Sequence, residues 1–194
     1  MSPEIFMIHP LFGVCVSLYE TVARINSLAA CRHHYSSDHF VKEAQEIEIE
    51  LQSWTPPEYI DQTRPMSEAR AMGFALQWAS IMRLLQVTRA LKNNDVQIKK
   101  ATDNILSALS LIRPGSEMEA HLLFPLFMAG VGSMTKPNRL TVEYRLTVME
   151  TTIGFGNICI AHRLLDEIWQ RANQGEVVDW EELIRSKYQG LVLF

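Results

Sequence analysis

An all-α fold, an irregular bundle of roughly seven to eight helices, is predicted by three observations. Apolar residues recur at steps of three and four along nearly the whole chain. Strict alternation of apolar and polar residues is almost absent, and turn residues punctuate the pattern at short intervals. The first feature is the signature of an amphipathic helix and the second excludes a half-buried sheet. The third implies short connections between neighbouring helices.

The elements follow in order. Leu11, Val14, Leu18, Val22, Ile25 and Leu28 share one helical face. Phe40, Ala44, Ile47, Leu51 and Trp54 form a second stripe, with Lys42, Glu43, Glu46 and Glu50 on the opposite face. Asp38 is placed to cap that helix and Pro56-Pro57 to stop it. The stretch Asp61 to Pro65 reads as loop, after which Ser67 caps a long helix turning Ala71, Phe74, Ala75, Trp78, Ile81, Met82 and Leu85 inward. Asn93-Asn94-Asp95 breaks it and caps the next, whose stripe is Ile98, Ala101, Ile105, Leu109 and Ile112. Pro114-Gly115 ends that helix, and Ser116 with Glu119 has the spacing of a capping box for another.

Further on, Lys136-Pro137-Asn138 reads as a turn and Leu140 to Thr151 as helix. Gly154-Phe155-Gly156 interrupts the path, and its glycines suit a close approach of two helices. Ile158, Ala161, Leu165, Ile168 and Trp169 form the next stripe, which ends at Gly175. Asp179 and Glu182 repeat the capping spacing ahead of a last helix carrying Trp180, Leu183, Ile184 and Tyr188.

Composition narrows the function. With 194 residues the chain is long enough for one domain with a substantial core, taken here as residues 1–194. The formal net charge of −4 offers no basic patch for nucleic acid, so direct contact with DNA by this segment is not expected. Three scattered cysteines, Cys15, Cys31 and Cys159, form neither a disulfide framework nor a C-x-x-C zinc pair. The apolar run Ile5 to Leu18 carries His9 and Pro10 and is too short to span a bilayer.

Catalytic signatures are missing. The chain holds no G-x-S-x-G elbow, no H-E-x-x-H and no P-loop, so it is not read as an enzyme. Cys31, His33, His34, Asp38 and His39 are the most metal-like cluster, but in a polar turn these residues serve solvation and capping, and no metal is assigned. His162 and Asp166, one turn apart, fit a surface hydrogen bond better than a ligand pair. No catalytic, cofactor-binding or metal-ligating residue is therefore expected.

Leu122 to Gly130, L-L-F-P-L-F-M-A-G, is the most informative segment. A proline starts or bends a helix here, apolar residues surround it on every side, and Ala129 and Gly130 admit a crossing helix at close range. Gaps beside such an element, lined by Phe74, Trp78, Met82, Phe124, Phe127 and Met128, are the candidate pocket for a small apolar effector. The alternative is that these side chains pack on one another.

The same segment resembles the signature of the fungal-specific transcription factor regulatory domain. The resemblance continues through Arg139, Gly156-Asn157, Leu164-Leu165-Asp166-Glu167-Ile168-Trp169 and Asp179-Trp180, and includes Pro125 and Gly130 within the segment itself. Pro10-Leu11-Phe12-Gly13 and Leu51-Gln52-Ser53-Trp54 are weaker landmarks. The resemblance implies an α-helical regulatory domain, the C-terminal part of a longer family region, controlling RNA polymerase II transcription in the nucleus with some shuttling to the cytoplasm. It implies transcriptional co-regulators, a small effector or a homodimer as partners, and no membrane. Zinc is expected only in a separate six-cysteine cluster, which residues 1–194 do not contain. A stand-alone helical small-molecule or protein-interaction module derived from the same family is the alternative expectation.

Overall fold

The computed structural model describes residues 15–31, 37–56, 64–93, 95–191 and 193. Among them the chain forms eight α-helices, one 3-10 turn and no strand. In order these are α1 (Val16–Ala30), α2 (Ser37–Ser53), α3 (Arg64–Arg89), α4 (Val96–Ser110), the 3-10 turn (Glu117–His121), α5 (Leu123–Gly132), α6 (Lys136–Thr152), α7 (Gly156–Asn173) and α8 (Trp180–Ser186). The all-α class read from periodicity is the observed one. Leu11, Val14, Pro57, Asp61, Asn94 and the Pro10-Leu11-Phe12-Gly13 landmark lie outside the described residues.

Two helices organise the rest. The long α3 packs against α1, α2, α4 and α5, and the short α5 packs against α3, α4, α6 and α7. Every residue of α5 is buried, as an apolar decapeptide with no polar face requires. Its Pro125 stands third in the helix, where the missing N–H would have had no helical partner. The stripes of α4 and α7 face the core as the periodicity predicts, with Ile98, Ala101, Ile105 and Leu109 buried on one and Ile158, Ala161, Leu165, Ile168 and Trp169 on the other. On α3 the burial is broader than a stripe. Met72, Leu76 and Ala79 join Ala71, Ala75 and Met82 in the core, whereas Phe74, Trp78 and Ile81 are half-buried. A central helix is touched from several sides, so no single face of it is the inner one.

Local capping chemistry sets several starts. The Asp95 carboxylate accepts from the Gln97 N–H at 2.7 Å, and Asp179 accepts from the Glu182 N–H at 3.0 Å. Other boundaries depart from the sequence reading. Asp38 lies inside the first turn of α2 rather than at its cap, and there its charge complements the helix dipole. Helix α3 begins at Arg64, so Pro65 is helical and Ser67 is internal. Helix α6 begins at Lys136, with Thr135 as its cap and Pro137 in its first turn, so Lys136-Pro137-Asn138 is not a turn outside the helix. Both prolines mark helix starts, because the first helical positions tolerate a residue without an N–H.

The Ser116 and Glu119 pair forms only part of a capping box. It opens a 3-10 turn, Ser116 makes no capping bond through its side chain, and the Glu119 carboxylate accepts instead from the Gly115 N–H. The Gly154-Phe155-Gly156 step does interrupt the helices, but not by close packing. Gly154 adopts φ 71°, a conformation that disfavours a side chain, and a Cβ on Gly156 would meet nothing within 4 Å. Close helix–helix contact through glycine occurs instead on α5, where a Cβ at Gly130 would lie 2.6 Å from the Leu165 side chain of α7 and one at Gly132 would press on Thr102 of α4.

Candidate functional site

Of the signature residues, Gly130, Arg139, Trp169 and Trp180 gather where α5, α6, α7 and α8 meet, whereas Gly156 and Asn157 lie at the opposite end of α7. Helix α5 ends with carbonyls that have no partner in their own helix. The indole N–H of Trp169 on α7 donates to the Gly130 carbonyl at 2.9 Å, which requires α7 to cross directly over Gly130. The missing side chain at Gly130 makes that crossing possible, and Leu165 fills the space. On the other side, the Arg139 Nε of α6 donates to the Ser133 carbonyl at 3.0 Å and its Nη1 to Asn173 Oδ1 at 2.8 Å. The guanidinium lies 5.7 Å from the centre of the Trp169 ring. Gly130, Arg139 and Trp169, far apart in sequence, thus form one clamp on the end of α5.

A second clamp holds α8. Trp180 packs edge-to-face on Phe127, with ring centres 5.4 Å apart, and receives the Arg83 guanidinium 4.9 Å from its own centre. Arg83 is also paired with Glu181 at 2.5 Å and reaches Asn26 Oδ1 at 3.5 Å. Glu167, inside the Leu164 to Trp169 signature, binds Lys187 Nζ at 2.6 Å, the Tyr188 hydroxyl at 2.7 Å and Arg171 at 2.6 Å. These donors, Lys187 foremost, hold its carboxyl down to about 2.

A buried ion pair supports the same region from below. Arg145 of α6 and Glu119 stand 3.0 Å apart with side chains 6% and 1% exposed. Their approach is too oblique for a good hydrogen bond, leaving Glu119 Oε1 and Arg145 Nη2 without one. Arg145 Nη1 also donates to the Ile112 carbonyl at 2.6 Å, closing the chain just after α4. Gln77 does the same for α2, donating to Leu51 O at 2.7 Å and Trp54 O at 3.1 Å. Sequence reading missed Arg145, yet its signal was present: it shares a helical face with Val142, Leu146 and Met149, where an apolar residue belongs. Arg83, set within Ile81-Met82-Arg83-Leu84-Leu85, carries the same signal.

The six residues of the candidate apolar pocket are distributed over the core. Phe74 is half-buried and edge-on to Trp54, with ring centres 6.1 Å apart. Trp78 lies beneath Lys100 and lines a 300 Å³ groove between α2, α3 and α4. Met82, Phe124, Phe127 and Met128 are buried, Met82 beside Thr102 and Phe127 against Trp180. Phe74 and Trp78 therefore sit toward α2 and α4, and Phe127 toward α8.

Of the metal-like cluster, His33 and His34 lie outside the described residues. Among the described residues no three His, Cys, Asp or Glu side chains gather as a metal site would require. His162 Nδ1 meets Glu150 Oε1 of α6 at 2.9 Å, so its partner is across the helix pair and not Asp166 on its own helix, which is exposed. No described helix is long and apolar enough to cross a membrane.

The fold and these clamps define an all-helical domain in which Gly130, Arg139, Trp169 and Trp180 serve packing and helix closure. Residues 1–194, the whole chain, match the fungal-specific transcription factor domain, and the chain belongs to that family, whose role is transcription regulation. No curated protein and no solved structure matches it.

Proposed function

We propose that this chain is the regulatory and effector-response domain of a fungal transcription factor controlling RNA polymerase II transcription in the nucleus. The observation that carries the reading is family membership over the full 194 residues. The geometry fits it. Gly130, Arg139, Trp169 and Trp180 lock helices together, and none of them is arranged as an acid, base or nucleophile. A domain of this kind works by presenting surfaces to co-regulators and by changing them when an effector binds. A protein-interaction module of the same family is the second reading, favoured by Leu140 and Tyr144, which lie one turn apart on α6 and are exposed.

The test is a fusion of residues 1–194 to a foreign DNA-binding domain, read in a fungal reporter strain. Reporter output should differ at least several-fold from that of the DNA-binding domain alone. Trp169→Ala, which opens the clamp on α5, should abolish the difference. Equal output from the fusion and the bare DNA-binding domain, at matched protein levels, overturns the reading.

A further inference from the structure

We propose that the cleft between the C-terminal ends of α3 and α7, the α5–α6 junction and the start of α8 binds a small amphipathic molecule, neutral or cationic, that brings one hydrogen-bond donor. The cleft measures about 510 Å³, within the range of small-molecule sites. Its walls include Leu91, Met134, Ile168, Val178 and Trp180. Met134 is 46% exposed and Val177, also in the lining, is 77% exposed, so apolar surface is left open to water where a ligand would cover it.

The polar specificity comes from Gln86. Its side chain lines the cleft, and its amide oxygen is buried without a donor. A buried acceptor with no partner is costly, roughly 1–3 kcal/mol in proteins generally, and a ligand hydroxyl or amine would relieve it. Gln86 is half-buried overall, and a ligand donor reaches the buried oxygen once the side chain turns toward the cleft. The backbone beside it is also unusual. Ala90, in the lining, has φ 51°, a strained value for a residue with a side chain.

Charge sets the ligand class. Glu176, Asp179 and Glu181 line the cleft against Lys92. Glu181 is matched by Arg83, and one Asp179 oxygen is taken by the Glu182 N–H, yet the remaining balance is negative. An anion entering here would meet like charge from Glu176 and Asp179. The site is distinct from the Trp78 groove, and the proposal stands on binding alone, whether or not the chain regulates transcription.

The experiment is titration of the full chain by calorimetry with octanol, octylamine and octanoate, which share one tail and differ in head group. Octanol and octylamine should bind saturably at one site, and octanoate at least about tenfold more weakly. Gln86→Met, which keeps the shape and removes the acceptor, should weaken octanol several-fold to about tenfold. Ala172→Trp, which fills the cleft, should abolish binding by both, with helical circular dichroism confirming that the variants fold. No saturable binding by octanol or octylamine overturns the proposal. So does octanoate binding as tightly as octanol, or unchanged binding by folded Gln86→Met and Ala172→Trp.

Discussion

At the scale of single residues, glycines that look alike in sequence do opposite things. Gly130 is where α7 crosses α5, and a methyl group there would press on the fully buried Leu165. Gly130→Ala should therefore destabilise the domain by about 1–3 kcal/mol, the usual cost of overpacking a core. Gly156, at the first position of α7, faces open space. Gly156→Ala should be neutral or stabilising by up to about 1 kcal/mol, because it restricts the unfolded chain and strains nothing in the folded one. Urea denaturation of the two variants beside the parent checks both. A stable Gly130→Ala protein would mean that Leu165 can retreat and that the crossing is looser than its geometry.

At the scale of elements, the recurring device is closure of one helix by a side chain from another. Gln77 closes α2, Arg145 closes the segment after α4, and Trp169 with Arg139 closes α5. Arg145 carries the largest consequence, since it is buried against Glu119. Removing one partner strands the other charge in the core, so Arg145→Leu alone should cost about 3–5 kcal/mol. Arg145→Leu combined with Glu119→Leu should cost less than the sum of the two single changes, because no lone charge remains. A double-mutant cycle measures this directly, and strict additivity would show that the two side chains do not interact across the 3-10 turn.

At the scale of the whole molecule, α3 and α5 share one continuous core, so the helices are expected to unfold together. The segment following α8 is fastened to α7 through Glu167, which makes the stability of the whole sensitive to acid. The folded carboxyl titrates near 2 against an ordinary value of 4.5, so it favours the folded state while ionised. That contribution is fully present above about pH 4.5 and is lost as the pH falls toward 2. The parent protein should lose more stability across this window than Glu167→Gln, which has no carboxyl to protonate. Parallel acid profiles for the two proteins would remove Glu167 from the link.

The all-α class and the fully buried character of the Leu122 to Gly130 segment were legible in the sequence, because amphipathic period and apolar runs are local properties. The sequence also determined the caps at Asp95 and Asp179, where donor and acceptor lie two or three residues apart. The starts at Arg64 and Lys136 were harder to read, since a proline signals both a loop and a first helical turn. Signature residues such as Arg139 and Trp169 were recognisable as landmarks, but their joint action on α5 was not. Nor was the cleft at Gln86 legible, for its walls come from three separate parts of the chain. Closing a helix end from another helix, burying Arg145 against Glu119 and leaving Gln86 without a donor all depend on contacts between residues distant in sequence, and such contacts exist only once the helices have packed.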